Sequence, residues 1–508
     1  MSMEFYQTEA DKQRLERQIG RATQSVNAVK DIVAQGRFRQ GYHLMPPAYW
    51  MNDPNGFIYY KGRYHLFYQH NPYSAVWANM HWGHASSEDL VHWTHHPIAL
   101  APSEPYDTCF RGGCYSGSSV VAEEKLIVMY TANLVEHGVQ TQKQCLAWSD
   151  DGVHFSKYHN NPVIDCPKEL DAANFRDPKI WKHGDLWYCV VASRINGDAC
   201  CAIFRSTDLI QWEYKGVLVR GEGKLGSMWE CPDFFPLEDK YVLQFSPMNL
   251  GVYKTVYLVG DMDYDTCRFT WKTKGEIDAG FDFYGPQTMQ APDGRRIMIG
   301  WQNAWDWMPW FSSFGAAPME NWCGCMSIPR EITLGQDDSL QFKPVDEIKL
   351  LRNSAQDFGL LKCAKGVKQS LIVGDNVHFE LNLDIDLHQT NADSLQIHIR
   401  HSDFEDTLIQ LDFKNQVLTF DRSHSDFCMK GTMTRPLPLN SDVNLSLNLF
   451  SDTSSIELFV GDTLCMDCAV FAENKSNELF FESFGGDTIL NAYGWQMPRN
   501  KKYRTTNI

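Results

Sequence analysis

"SEDLVHW", residues 87–93, is met again as "SDDGVHF" at 149–155 and as "STDLIQW" at 206–212. Each copy reads Ser-x-Asp-x-x-x-aromatic, and the closing aromatics Trp93, Phe155 and Trp212 stand 62 and then 57 residues apart. A degenerate fourth copy, "DMDYDTCRFTW", closes on Trp271, 59 residues further on. Three matches in register make a structural period, which is the mark of a repeat architecture. Between the copies the texture is β: "KLIVMYTAN", "LWYCVVASR", "YVLQFSPM" and "RRIMIGWQN", broken by Gly, Asp and Asn turns. A period near 60 with about four strands per unit predicts propeller blades around a channel. No helical stretch of crossover length separates the strands, which argues against a βα barrel.

Five polar clusters mark the starts of the units. They are Asp53 in "NDPNG", Ser116-Gly117 in "YSGS", Asp177 in "FRDP", Glu230 and Asp233 in "WECPD", and "FDFYGPQ" around Phe283. Successive intervals from Asp53 to Phe283 are 63, 61, 53 and 53 residues, so five blades fit residues 37–335. The innermost strand of each blade lines the channel, so the clusters are expected to converge on one axial funnel. Taken alone, "NDPNG" beside Trp50, Met51 and Phe57 reads as a buried turn capped by Asp53. Recurrence of such a cluster once per blade makes a reacting group the better reading.

The chain after residue 352 changes character. "VHFELNLDIDLH" alternates strictly, with Val377, Phe379, Leu381, Leu383, Ile385 and Leu387 on one face, and "VNLSLNL" and "SIELFV" repeat the pattern. That predicts a half-buried antiparallel β-sandwich over 352–508, joined through a linker at 336–351. Residues 1–36 read as a charged helical arm. The fold class is therefore all-β, a five-bladed β-propeller followed by a C-terminal β-sandwich.

A net charge of −17 over 508 residues disfavours nucleic acid and anionic membranes as partners. Sixteen Trp and 21 Tyr suit the stacking of a flat or polyhydroxylated ligand. The N-terminus has no apolar core behind a basic start, and no run approaches the length of a membrane span. Fifteen cysteines without an export signal are expected to be reduced thiols in a cytoplasmic protein. Cys323 and Cys325 have no second ligand pair and "HWTHH" has no Glu base, so neither a metal nor an organic cofactor is expected.

Three carboxylates in one funnel suggest glycoside hydrolysis, in which one ionised carboxylate attacks and a protonated one assists the leaving oxygen. Asp53, in a turn rich in N–H donors, is expected to be held ionised. Glu230, between Trp229 and Cys231 and before Pro232, has apolar company of the kind that keeps a carboxyl protonated. Asp177 follows Arg176, which should keep it charged and suit it to binding a sugar diol or balancing oxocarbenium charge.

At these residues the sequence resembles glycoside hydrolase family 32, the invertases, fructan hydrolases and sucrose-6-phosphate hydrolases. "WMNDPNG", "FYQHNP", "YSGS", "FRDP", "WECPD", "DFYGPQ" and "WCGCMSIPRE" follow one another in the family's order along nearly the whole chain. The resemblance implies a five-bladed propeller with a C-terminal sandwich. It implies Asp53 as nucleophile, Asp177 as transition-state stabiliser and Glu230 as acid/base. It also implies a fructose site lined by Trp50, Met51, Asn52, Gln69, Trp77, Ser116, Gly117, Arg176 and Trp301. Two positions depart from the usual pattern, Gly285 where Ala is common and Gln302 where Met is common. The implied activity is that of a cytoplasmic retaining β-fructofuranosidase acting on sucrose or sucrose 6-phosphate without cofactor or metal. A short-fructan hydrolase, an inverting hydrolase of the five-bladed class and a catalytically silent sugar-binding propeller are the alternatives. Its expected partner is a small sugar, and a homodimer is compatible with the sandwich.

Overall fold

Each copy of the Ser-x-Asp repeat is one turn between the third and fourth strands of a blade. The computed structural model describes residues 8–108, 112–439, 444–473, 475–499 and 504–505. In it Asp89 Oδ1 accepts the backbone N–H groups of Val91 and His92, and the Ser87 hydroxyl donates to the same oxygen. Asp151 does this for Val153 and His154, and Asp208 for Ile210 and Gln211. Short polar side chains that bond backbone two or three residues on stabilise such turns locally. Trp93 and Trp212 then open the outermost strands of their blades, and Phe155 immediately precedes the third such strand.

The blades follow in chain order. Blade I is Tyr49–Tyr60, Arg63–Asn71, His81–Ser87 and Trp93–His95; blade II is Gly113–Ala122, Lys125–Glu136, Val139–Ser149 and Ser156–Lys157. Blade III is Arg176–His183, Leu186–Ile195, Asp198–Ser206 and Trp212–Arg220; blade IV is Met228–Leu237, Lys240–Met248, Val256–Asp263 and Arg268–Glu276. Blade V is Tyr284–Gln290, Arg296–Trp301, Arg330–Leu334 and Leu340–Pro344. Its last strand falls within the stretch read from sequence as a linker, because "LQFKP" is short and sits between polar turns. The ring is tied shut by the long insertion of blade V. Trp322–Cys323 leaves that blade and pairs in parallel with Tyr49 and Trp50 of blade I. Apolar faces of neighbouring blades fill the gaps, as where Met51, Phe57 and Leu66 pack with Met289, Ile297 and Ile299.

Two six-stranded sheets make the sandwich. Phe379, Leu381, Leu383 and Ile385 are buried in its core, and Val377 and Leu387 at the ends of that alternation are half-buried. The helix Glu9–Val33 is capped by Thr8, whose hydroxyl accepts the Asp11 N–H. Val26 and Val33 pack with Phe38, Trp322 and Phe471, so the helix covers part of the junction of the two domains. Among the described residues no helix is long and apolar enough to cross a membrane. The fourteen described cysteines are free thiols.

Charge, not only apolar surface, joins the domains. Arg330 of blade V reaches Asp278 at 3.1 Å, Glu457 at 3.4 Å and Asp467, while Arg422 of the sandwich meets Asp282 of the propeller. His43 bridges Asp452 through Nδ1 at 2.7 Å and Glu457 through Nε2 at 2.8 Å, and all three side chains are buried. Burial pulls the imidazole's pKa down, but hydrogen bonds to Asp452 and Glu457 outweigh it and hold the group at about 9. A histidine raised in the folded state contributes stability that is complete below its unfolded value of about 6.5. That contribution, on the order of 3 kcal/mol, is lost as pH rises through about 9. The melting temperature is therefore expected to fall between pH 7 and 9.5. His43→Gln should melt lower at pH 6.5 and show a flatter decline across that range in scanning calorimetry.

Candidate active site

At the head of every innermost strand the ladder slips. Register shifts lie between Met51 and Pro54, between Tyr115 and Gly117, opposite Arg176 and Lys179, between Glu230 and Asp233, and between Tyr284 and Gln287. A β-bulge puts an extra residue on one strand and re-aims the side chains beside it. Here five bulges aim five strands at the same axial funnel. Asp177, Cys231 and Gly285 take positive φ of 63°, 50° and 55° in them, two of the three with a side chain to strain. "NDPNG" is accordingly not the turn its residues suggest. It lies inside the twelve-residue strand Tyr49–Tyr60, and two bulges absorb its Pro and Gly.

The three expected carboxylates are brought together. Asp53 Oδ2 accepts from the Ser116 hydroxyl at 2.8 Å and faces the Cys231 thiol at 3.4 Å, while Asp53 Oδ1 is buried without a hydrogen-bond partner. The Cys231 backbone N–H donates to Asp177 Oδ2 at 2.8 Å, so one residue touches both aspartates. Glu230 Oε1 accepts from Arg176 Nε at 3.2 Å and Nη2 at 3.0 Å, and Glu230 Oε2 accepts from the Tyr284 hydroxyl at 2.6 Å.

Electrostatics correct the simpler expectations. Burial lifts the Asp53 carboxyl to about 6 and the charge of Glu230 adds to it, against the hydrogen bonds from Ser116, Asn52 and Cys231. The donors that would have held it ionised belong to a turn that does not form. Burial likewise lifts Asp177 to about 7, outweighing Arg176, whose guanidinium is 4.0 Å away and engaged with Glu230. Nor does Glu230 sit in apolar company. Successive strand residues face opposite ways, so the Trp229 ring stacks on Phe245 in the core while Glu230 turns to Arg176 and Tyr284.

The other expected residues fall into three groups. Asn52, Ser116 and Arg176 bond or face the carboxylates directly, and the Trp50 indole N–H donates to Asn52 Oδ1 at 2.7 Å. Trp77 is half-buried, edge-on to Tyr115. The carbonyl of Gly117 accepts from Gln287 Nε2 at 2.7 Å. Trp50 and Trp301 are fully buried in an aromatic cluster with Tyr284, and Met51 is fully buried between blades I and V. Gln69 donates to the Cys114 carbonyl at 2.9 Å, tying blade I to blade II. These last four reach the funnel as supports. Tyr284 and Cys231, which touch the carboxylates, were missed, although both stand inside motifs that sequence reasoning singled out. Trp305 and Trp307, stacked at 5.2 Å beside Trp50 and Tyr284, come from the blade V insertion and carry no periodic signal. At Gly285 a Cβ would stand 2.8 Å from Asp53 Oδ1, so the glycine leaves that oxygen uncrowded.

Residues 43–344 match the model of the glycosyl hydrolases family 32 N-terminal domain, and residues 347–495 match that of its C-terminal domain. The chain belongs to glycosyl hydrolases family 32. Curated family 32 relatives include sucrose-6-phosphate hydrolases of Escherichia coli, 34% identical over 94% of this chain and 100% of that one, and of Zymomonas mobilis, 36% identical over 83% and 84%. A family 32 β-fructofuranosidase of Bombyx mori, solved as a mutant with sucrose, superposes with a TM-score of 0.80 at 32% identity, covering 97% of this chain and 99% of that one. The sucrose-6-phosphate hydrolase of Lactobacillus gasseri gives a TM-score of 0.82 at 27% identity over 94% and 97%. As a family 32 member the protein is a glycoside hydrolase, and its funnel supplies the paired carboxylates that such chemistry requires.

Proposed function

We propose that the protein is a retaining β-fructofuranosidase that hydrolyses sucrose or sucrose 6-phosphate through a covalent fructosyl-enzyme. The observation that carries this reading is Asp53 Oδ1, a buried carboxylate oxygen with no hydrogen-bond partner at the head of the funnel. In the first step Asp53 attacks the fructosyl C2, the C2–O bond breaks, and Glu230 gives its proton to the departing glucosyl oxygen. In the second, the Glu230 carboxylate takes a proton from water as that oxygen attacks C2 and releases Asp53. Asp177, held by the Cys231 N–H, faces the charge that develops on the ring. Arg176 and Tyr284 hold the two oxygens of Glu230 and fix the direction of proton transfer. The relatives named for sucrose 6-phosphate and sucrose support this substrate class. Free thiols support a cytoplasmic setting.

The test is a comparison of kcat/KM for sucrose and sucrose 6-phosphate, with proton NMR of the first-formed fructose. Initial β-fructose is expected; initial α-fructose would replace the covalent route by direct attack of water. Because Asp53 must be ionised to attack, kcat/KM should fall on the acid side, with an apparent pKa between about 6 and 7 that belongs to the carboxylate set as a whole. Prolonged EDTA treatment should leave the rate of hydrolysis unchanged, since both steps run on carboxylates alone. Activity that vanished with EDTA and returned with one divalent ion would overturn that mechanism.

A further inference from the structure

The second sheet of the sandwich carries a cluster of donors that the hydrolysis does not use. Strand Ser394–His401 would place His398 and His401 on opposite faces if it were regular, because side chains alternate. A bulge against Glu478–Phe484 intervenes, with Arg400 at φ 54°. Arg400 turns inward, where its guanidinium donates to the Ser476 and Thr453 carbonyls at 2.9 and 3.0 Å. His401 thereby joins His398 on the outward face, opposite Asp406 at the start of the neighbouring strand.

We propose that His398, His401 and Asp406 form a site for a transition-metal dication of the zinc class. One ligand atom from each residue lies within 4.8 Å of the others, and among the described residues this is the cluster that meets that condition. His398 Nδ1 stands 2.9 Å from Asp406 Oδ2, and His401 Nδ1 stands 3.2 Å from Asp406 Oδ1. Four ligands at about 2.0–2.1 Å from a tetrahedral ion are about 3.3 Å apart, close to both imidazole-to-carboxylate separations. His401 Nδ1 and Asp406 Oδ1 are buried and make no hydrogen bond, and the hydrogen bond between His398 Nδ1 and Asp406 Oδ2 is the one an ion would replace. Glu482 Oε2, 3.8 Å from His398 Nε2, faces the ring nitrogen turned away from the ion and so serves as an outer partner, and water can complete the shell. The rings are held in place: His398 stacks on Phe480 with centroids 4.3 Å apart, and His401 meets the same ring edge-on at 5.0 Å. Two imidazoles with a carboxylate select zinc, cobalt, nickel or copper over magnesium or calcium. The ion would pin two neighbouring strands across the connection 402–405, in a domain separate from the catalytic funnel.

The test uses the tag-free, EDTA-stripped full chain titrated calorimetrically with zinc chloride, and with cobalt chloride read by absorption. One equivalent of zinc is expected to bind and raise the melting temperature, and magnesium to do neither. Cobalt should show ligand-field bands without the sulfur-to-metal absorption that cysteine ligation adds. His401→Gln and Asp406→Asn should each weaken binding by at least the roughly 10–100-fold that losing even an outer partner of a metal site costs. Either variant may be used alone if the other fails to fold, with far-UV circular dichroism as the check. No saturable binding up to millimolar zinc, a thiolate absorption band with cobalt, or unchanged affinity in a folded variant would each overturn the site and leave the trio as plain hydrogen-bonded side chains.

Discussion

Asp53→Asn is expected to lower kcat on sucrose by more than about 10⁴-fold, the scale on which removal of a nucleophile acts, while the protein melts no lower than wild type. The carbonyl oxygen of Asn can still accept from the Ser116 hydroxyl, so the hydrogen bond at 2.8 Å survives. The amide cannot form the covalent bond to C2. Stability should be retained or improved, and the sign follows from burial. A carboxyl raised to about 6 in the folded chain costs stability as pH climbs from its unfolded value near 3.9 through 6, because ionisation in the funnel is disfavoured. The neutral amide removes that penalty at pH 7. Calorimetry and steady-state rates on the same preparation check both halves. Activity within tenfold of wild type would mean that another group attacks C2.

Glu230→Gln is expected to separate the two chemical steps. General acid assistance is typically worth about 10²–10⁴-fold, and it matters where the leaving oxygen is as basic as the glucosyl oxygen of sucrose. The variant should lose roughly that factor on sucrose and much less in the first step with an aryl fructoside. Water then lacks its general base, so the aryl substrate should give a burst and stall. Azide, which needs no base, should restart turnover and yield fructosyl azide of retained configuration. Gln can accept from Arg176 through its oxygen while its NH2 donates to the Tyr284 hydroxyl, so gross displacement of the strand is not expected. Equal damage on both substrates, no burst and indifference to azide would remove Glu230 from the acid/base role.

How much of this was legible beforehand depends on the kind of signal. The blade repeat showed because Ser87, Asp89 and their counterparts satisfy backbone donors within a few residues, and local chemistry leaves a local trace. The sandwich showed because Phe379 to Ile385 alternate against a single core. Convergence of the carboxylates followed from the period alone. What remained hidden was long-range. The bulges that turn "NDPNG" from a turn into a strand depend on pairing with Arg63–Asn71. The protonation balance of Asp53 and Asp177 is set mainly by burial, which no neighbour in sequence discloses. Tyr284 lies 54 residues from Glu230, in the next blade, and only the packing of blade V against blade IV brings its hydroxyl to that carboxylate.

The ionic contacts between propeller and sandwich bear on how such chains can be recombined. Asp278, Asp282 and Arg330 lie on one side of the join, and Arg422, Glu457 and Asp467 on the other, all of them buried; Arg330 pairs across it with Glu457 and Asp467 and Arg422 with Asp282, while Asp278 pairs with Arg330 on its own side. Removing one member of a buried pair strands its partner at a cost of about 3–5 kcal/mol, whereas replacing both by apolar groups can be nearly neutral. A hybrid that crosses from one relative to another near residue 345 would therefore inherit half of each pair that spans the join. Exchanges that carry all six positions together, or that neutralise all six, are the ones expected to yield soluble enzyme, so the two domains are expected to recombine productively only as one block.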